Sequence, residues 1–184
     1  MSERLFKALG KGRVPCHGGD GKWPTKGKWR EAKGPLVLCK NGLHLCREKD
    51  LVSWLDEEIW EAEYKGERLD GENKIVVRKA RLIRNLTTWN EKTARLFACD
   101  CAERVLGIYE KRCPDDKRPR KAIAVARRFA NGKATKKQLD AASAAASAAA
   151  RDAAGFAARS AAWDAGREWQ TARLMHYLYP KGKP

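Results

Sequence analysis

Apolar and polar residues follow two different rhythms along this chain. In the first half the apolar positions recur at every second residue. Trp60, Ala62 and Tyr64 alternate with Glu61 and Glu63, and the run from Ile75 to Ile83 repeats the pattern. A period of two sends successive side chains to opposite faces, so both segments predict half-buried β-strands. Leu5 to Leu9 predicts a short opening strand. Leu36 to Cys39 and Leu43 to Cys46, with Asn41-Gly42 between them, predict a tight hairpin. Glu48 to Asp56 then predicts a short helix that buries Leu51, Val52, Trp54 and Leu55. These elements describe a β-rich domain ending near Leu86.

The rhythm then changes to that of a helix. Thr88-x-x-Glu91 has the form of a capping box, and Leu96, Phe97, Cys101, Val105, Ile108 and Tyr109 fall on one stripe behind it. Pro114-Asp115-Asp116 ends that helix. Pro119 opens a second, carrying Ile123, Ala126 and Phe129, which Asn131-Gly132 stops. Thr135-x-x-Gln138 caps a long segment reaching about Tyr177. Between Ala141 and Ala165, fifteen of twenty-five residues are alanine, so helix propensity is high throughout. As one rod, residues 136–177 would extend about 60 Å. Gly155 and Gly166 are therefore the expected bends, giving a tight bundle capped by Phe156, Trp163, Trp169 and Leu174. The predicted fold class is α+β. A small, mostly antiparallel sheet domain with one short helix (residues 1–86) precedes an alanine-rich antiparallel helical bundle (residues 87–184).

Charge adds a partner to this picture. The formal net charge is +16, with 19 Lys+Arg against 13 Asp+Glu up to residue 86 and 20 against 10 beyond it. A field of that sign draws polyanions: nucleic acid, a nucleoprotein complex or an acidic protein. Two sets of candidate contacts stand out. The glycine-rich stretch 10–35 interleaves cations with aromatics at Lys22, Trp23, Lys26, Lys28, Trp29 and Arg30, as single-strand binders do. Lys117, Arg118, Arg120, Lys121, Arg127 and Arg128 form the second set. The alternative for the first set is that its tryptophans pin the loop to the domain.

No run of about 18 apolar residues is present, and no apolar segment follows Met1-Ser2-Glu3-Arg4. A cytoplasmic protein with no membrane contact and free thiols is expected. Candidate chemistry is sparse. Cys39, His44 and Cys46, with Cys16 or His17 as a fourth donor, supply a zinc-type ligand set; otherwise no cofactor is implied. Asp100, Glu103, Arg104, Asp115 and Asp116 read as helix-end and inter-helix charges.

Three resemblances bear on function. The hairpin Cys39-Lys-Asn-Gly-Leu-His-Leu-Cys46, the strand Glu61-Ala-Glu-Tyr-Lys-Gly66 and the strand from Lys74 to Ile83 resemble an uncharacterised domain family of phage and bacterial proteins. Phe97-Ala-Cys-Asp-Cys-Ala-Glu-Arg-Val-Leu106, Pro114-Asp-Asp-Lys-Arg-Pro-Arg-Lys-Ala-Ile123 and the alanine-rich helices resemble immunity proteins of bacterial polymorphic-toxin systems. The order of Gly42-Leu-His-Leu45, Gly66 and Glu72-Asn73, with His17-Gly18 upstream, is similar to the core of ADP-ribosyltransferases. That likeness implies an NAD-binding site, although Asn73 or Lys74 stands where active members place a glutamate. The first two resemblances imply a non-enzymatic, basic interaction protein of a phage or bacterial conflict system. Such a protein would bind and inhibit a nucleic acid or nucleoprotein effector in an anti-defence role. One alternative is the ADP-ribosyltransferase-like, NAD-binding reading. Another is an immunity protein that neutralises a toxin by direct protein contact.

Overall fold

A computed structural model describes residues 3–16, 18–152 and 161–182. The elements are β1 (Leu5–Leu9), β2 (Arg30–Glu31), β3 (Leu43–Arg47), a 3-10 helix (Glu48–Trp54), β4 (Glu58–Asp70), β5 (Ile75–Asn85), α1 (Glu91–Arg112), α2 (Arg118–Ala130), α3 (Lys136–Asp152) and α4 (Ala161–Leu178). The α+β class with an antiparallel sheet and following helices is the one the sequence predicts. Contacts divide the chain into two units. One holds Met1–Asn90 with Arg167–Pro184, and the other holds Glu91–Gly166.

All strand pairings are antiparallel and run in the order β2-β5-β3-β1-β4, with β5 also paired to β4. β4 lies along the whole of β5, from Asp70 opposite Ile75 to Trp60 opposite Asn85. On its other side β5 meets β3 at Ile75–Val77 and β2 at Lys79–Ala80. β1 joins β3 to β4, so the pairings among β1, β3, β5 and β4 return on themselves. Alternation supplies the interior. Leu5, Leu9, Leu43, Leu45, Trp60, Ile75, Val77 and Leu82 form one buried cluster together with Trp23 from the long loop. A bulge after Lys65 lets β4 continue through Gly66, whose φ of 79° suits glycine, to Asp70.

The expected hairpin is not formed. Val37 and Asn41 instead bond each other in both directions, closing a tight turn inside the presumed first arm. Cys39 sits at its tip with φ 63°, and β3 pairs with β1 and β5. Gly42 explains the exit from that turn. Its φ is 131°, and a Cβ there would lie 2.2 Å from Val76 Cγ1, so only glycine lets the backbone pass so close to β5.

The helical caps were half legible. Thr135 and Gln138 make the reciprocal pair: Gln138 N donates to Thr135 Oγ1 at 3.2 Å, and Thr135 N donates to Gln138 Oε1 at 2.8 Å. The Thr88 hydroxyl donates to the Leu178 carbonyl at 2.8 Å, and α1 itself begins at Glu91. The long final segment is two helices, and Gly166 lies within α4 without ending it. Gly155 and Phe156 fall outside the described residues. Leu174, assigned from sequence to the helical bundle, is fully buried in the sheet-containing unit alongside Met175, Leu178 and Tyr179.

Candidate functional site

In the helical unit, α1 meets α2 and α2 meets α3, each across a five-residue connection. Their apolar faces do not close over one another. The three helices border an open groove of about 550 Å3, with Ala102, Val105 and Leu106 from α1, Ile123 from α2 and Leu139 from α3 among its lining. The stripe predicted for α1 is rotated in the structure: Phe97, Cys99, Asp100 and Leu106 are its buried residues. Val105 is 54% exposed and Ile108 61%. No residue of α2 is buried, despite its apolar face. α1 and α2 thus leave apolar surface exposed.

Ion pairs fix the groove's two main walls. Arg120 holds Glu110 at 2.5 Å, and Arg127 reaches both Asp100 at 2.7 Å and Glu103 at 2.5 Å, tying α2 to α1. Asp116 accepts the Arg118 backbone N–H at 2.9 Å, its guanidinium at 2.7 Å and the Tyr109 phenol at 2.6 Å. Those bonds, that from the Arg118 side chain first, hold the Asp116 carboxyl well below the ordinary carboxylate range. The same bond to Asp116 pushes the Tyr109 phenol up to about 12. These charges lock the α1–α2 connection, the structural role expected for them.

This placement changes the meaning of the second cationic set. Arg118, Arg120 and Arg127 are turned onto carboxylates of their own unit. Lys117, Lys121 and Arg128 are exposed, Lys117 donating to the Pro114 carbonyl and Arg128 to that of Lys133.

In the loop set, Lys22, Lys26 and Lys28 are exposed, but Trp23 is only 3% exposed. Lys7 and Arg30 each lie 5.4 Å from its ring centroid, and Arg30 donates to the carbonyls of Asp20 and Gly21. Trp29 is flanked by Lys65 at 4.9 Å and Arg81 at 4.7 Å. The loop's tryptophans thus pack against Arg30 and against the strand cations Lys7, Lys65 and Arg81, contacts that tether the loop to the sheet.

The proposed metal donors are partly brought together. Cys39, His44 and Cys46 border one cavity of about 130 Å3; Cys16 is not part of its lining. Two lysines, Lys7 and Lys74, share it. Burial pushes the Cys46 thiol up to about 12. Burial, then a bond to Asp56, pushes that of Cys16 up to about 11. The two ammonium groups beside these donors oppose a cation electrostatically. Among the described residues no three His, Cys, Asp or Glu side chains cluster as a metal would require. His17 lies outside the described residues. Lys7 escaped the sequence reading, although its signal is plain: it occupies the register of Leu5 and Leu9 on β1.

Glu72 and Asn73 lie between β4 and β5. Their carbonyls accept hydrogen bonds, Glu72 from Arg47 at 2.7 Å and Asn73 from the Trp54 indole at 2.8 Å.

The chain is a member of a family of immunity proteins: the family described as "Imm-5 like putative immunity protein" matches residues 84–175, half of its length. The match begins at the end of β5, takes in α1, α2 and α3, and ends on α4. No curated protein and no solved structure matches the chain.

Proposed function

We propose that this protein is an immunity protein that neutralises a toxin by direct contact, seating it on the groove formed by α1, α2 and α3. One observation carries the reading: the groove lies wholly inside the family-matched segment and leaves Val105 more than half exposed. Protein partners gain most from burying apolar surface of this kind, whereas a nucleic acid gains from phosphate contacts. Three arginines of the second cationic set are already occupied by carboxylates, which favours the apolar groove over the basic surface as the docking element. The net charge of +16 then contributes to partner choice and encounter rate, favouring an acidic toxin surface.

The test is growth rescue. Cells expressing the partner toxin domain are complemented with the wild-type chain, with Val105→Asp or with Ala102→Arg. Both positions are exposed on the groove, so the variants should fold, as circular dichroism would verify. Rescue by wild type and its loss in both folded variants is the expected result. Equal rescue by all three would remove the groove from the account. Binding that disappears on nuclease treatment, or falls by orders of magnitude with moderate salt, would return the protein to the nucleic-acid class.

A further inference from the structure

The cavity on the sheet-containing unit has a chemistry opposite to the one its cysteines and histidine suggest. We propose that it is a binding site for a small oxyanion, a phosphate or a carboxylate, held by Lys7 and Lys74. Among the described residues its lining contains these two lysines and no carboxylate. Both are positioned by the fold. Lys7 Nζ donates to the His44 carbonyl at 3.0 Å and lies 5.4 Å from the Trp23 ring centroid. Lys74 Nζ sits 4.5 Å from the Trp54 centroid, and the Trp54 indole N–H is fixed on the Asn73 carbonyl at 2.8 Å.

His44, Cys39 and Cys46 supply further polar groups to the lining. His44 Nε2 accepts the Cys39 backbone N–H at 3.2 Å, and burial, then the charges of Lys7 and Lys74, lowers the His44 pKa. Both lysines border the same cavity as His44. A volume of about 130 Å3 is close to the ~150 Å3 of an engineered cavity that holds benzene. It accommodates one phosphate or carboxylate group. Lysine serves such groups as a point charge without needing the bidentate geometry of arginine.

Isothermal titration of the full chain separates the two sources, with inorganic phosphate in one arm and acetate in the other. Ionic strength is held at about 150 mM so that the general positive field is screened. The expected result is one saturable site for at least one anion. Lys74→Met should weaken it about tenfold or more, the loss of one charge-assisted contact. Lys28→Met, an exposed cation of the loop, should change it less than about twofold, as expected of a screened surface charge. Lys7→Met should abolish binding; if it does not fold, Lys74→Met decides alone. No saturable binding of either anion would overturn the proposal. So would equal losses in Lys74→Met and Lys28→Met, which would mark an adventitious attraction to the charged surface.

Discussion

The phenol of Tyr179 donates to the carboxylate of Glu61 on β4, joining residues 118 positions apart. Arg84 on β5 binds the same carboxylate through two nitrogens, at 2.9 and 2.7 Å, and Arg4 lies 5.0 Å from the Tyr179 ring centroid. Tyr179, just beyond α4, is therefore tied to the sheet, with Leu174, Met175 and Leu178 buried just before it.

Tyr179→Phe should destabilise the sheet-containing unit by about 1–2 kcal/mol at neutral pH, the usual cost of losing a hydrogen bond to a charged group. The effect should depend on pH. Burial by itself would raise the pKa of Glu61, but the bonds from Arg84 and Tyr179 outweigh it and leave the carboxyl below its ordinary value. A lowered carboxyl pKa stabilises the fold fully above the unfolded value of about 4.3. That stability is lost as pH falls through the folded value. Urea unfolding should show a clear deficit for Tyr179→Phe at pH 7 that narrows below about pH 4. A deficit that is constant down to pH 3 would assign the loss to packing instead.

The close passage at Gly42 makes a sharper claim. Alanine there meets Val76 Cγ1 at 2.2 Å and Leu36 Cδ2 at 3.0 Å, in a backbone conformation L-residues avoid. Val76 is fully buried and cannot move aside. Gly42→Ala should therefore cost about 3 kcal/mol or more, by strain and overpacking together. Gly27 provides the control: its φ is also positive, at 83°, but nothing lies within 4 Å of the added carbon. Gly27→Ala should cost only about 1 kcal/mol of backbone strain. Equal melting shifts for the two would show that conformation, not contact, requires the glycine at 42.

These elements also mark what the sequence makes legible. Strands β4 and β5 follow from period-two alternation over 59–64 and 75–83, β1 from the short apolar run Leu5–Leu9, and α2 from Pro119 and Asn131-Gly132. The turn at Val37–Asn41 is hidden because Leu-Val-Leu-Cys is as suitable for a strand as for a loop. Only the pairing of β3 with β5, a long-range choice, decides it. Thr88 looks like a cap because its partner, Leu178, is far along the chain. The aromatic and cationic residues near Trp23 and Trp29 are recognisable as a group. Their direction, inward against the sheet, depends on Lys7, Lys65 and Arg81, which local patterning does not connect to them. The open groove is the least legible feature. Val105 and Ile108 read as core by spacing, and only the rotation of α1 leaves them exposed.

Within the helical unit, Arg127 should matter more than its neighbours. Asp100 is 7% exposed, and the Arg127 guanidinium is 2.7 Å from it. Arg127→Met removes the cation from a buried carboxylate and should destabilise this unit by about 2 kcal/mol. That is less than for a fully buried pair, because the arginine is partly solvated. Adding Asp100→Asn should recover part of the loss. Arg120→Met, which breaks a more exposed pair with Glu110, should leave the urea midpoint almost unchanged. If Arg120→Met proved as damaging as Arg127→Met, burial of Asp100 would not be the deciding term.

Cysteine reactivity offers a probe of the sheet-containing unit that needs no partner. Cys16 is exposed, so accessibility alone would make it react readily. Its thiol, however, is pushed up to about 11 by burial of the sulfur, then by the hydrogen bond and charge of Asp56, with Lys7 acting in the opposite direction. Alkylation proceeds through the thiolate, and at pH 8 such a thiol is ionised to about one part in a thousand. Iodoacetamide should therefore label Cys16 in the native protein about a hundredfold more slowly than in the urea-unfolded chain, where the pKa returns to about 8.5. The native rate should keep climbing with pH up to 10 without a plateau. Asp56→Asn, which removes the opposing charge while keeping the side-chain carbonyl that receives the Glu57 N–H, should raise the rate at pH 8. Peptide mapping by mass spectrometry separates Cys16 from the other five thiols. A native rate equal to the unfolded one would mean that solvent exposure, not the carboxylate beside it, governs this sulfur.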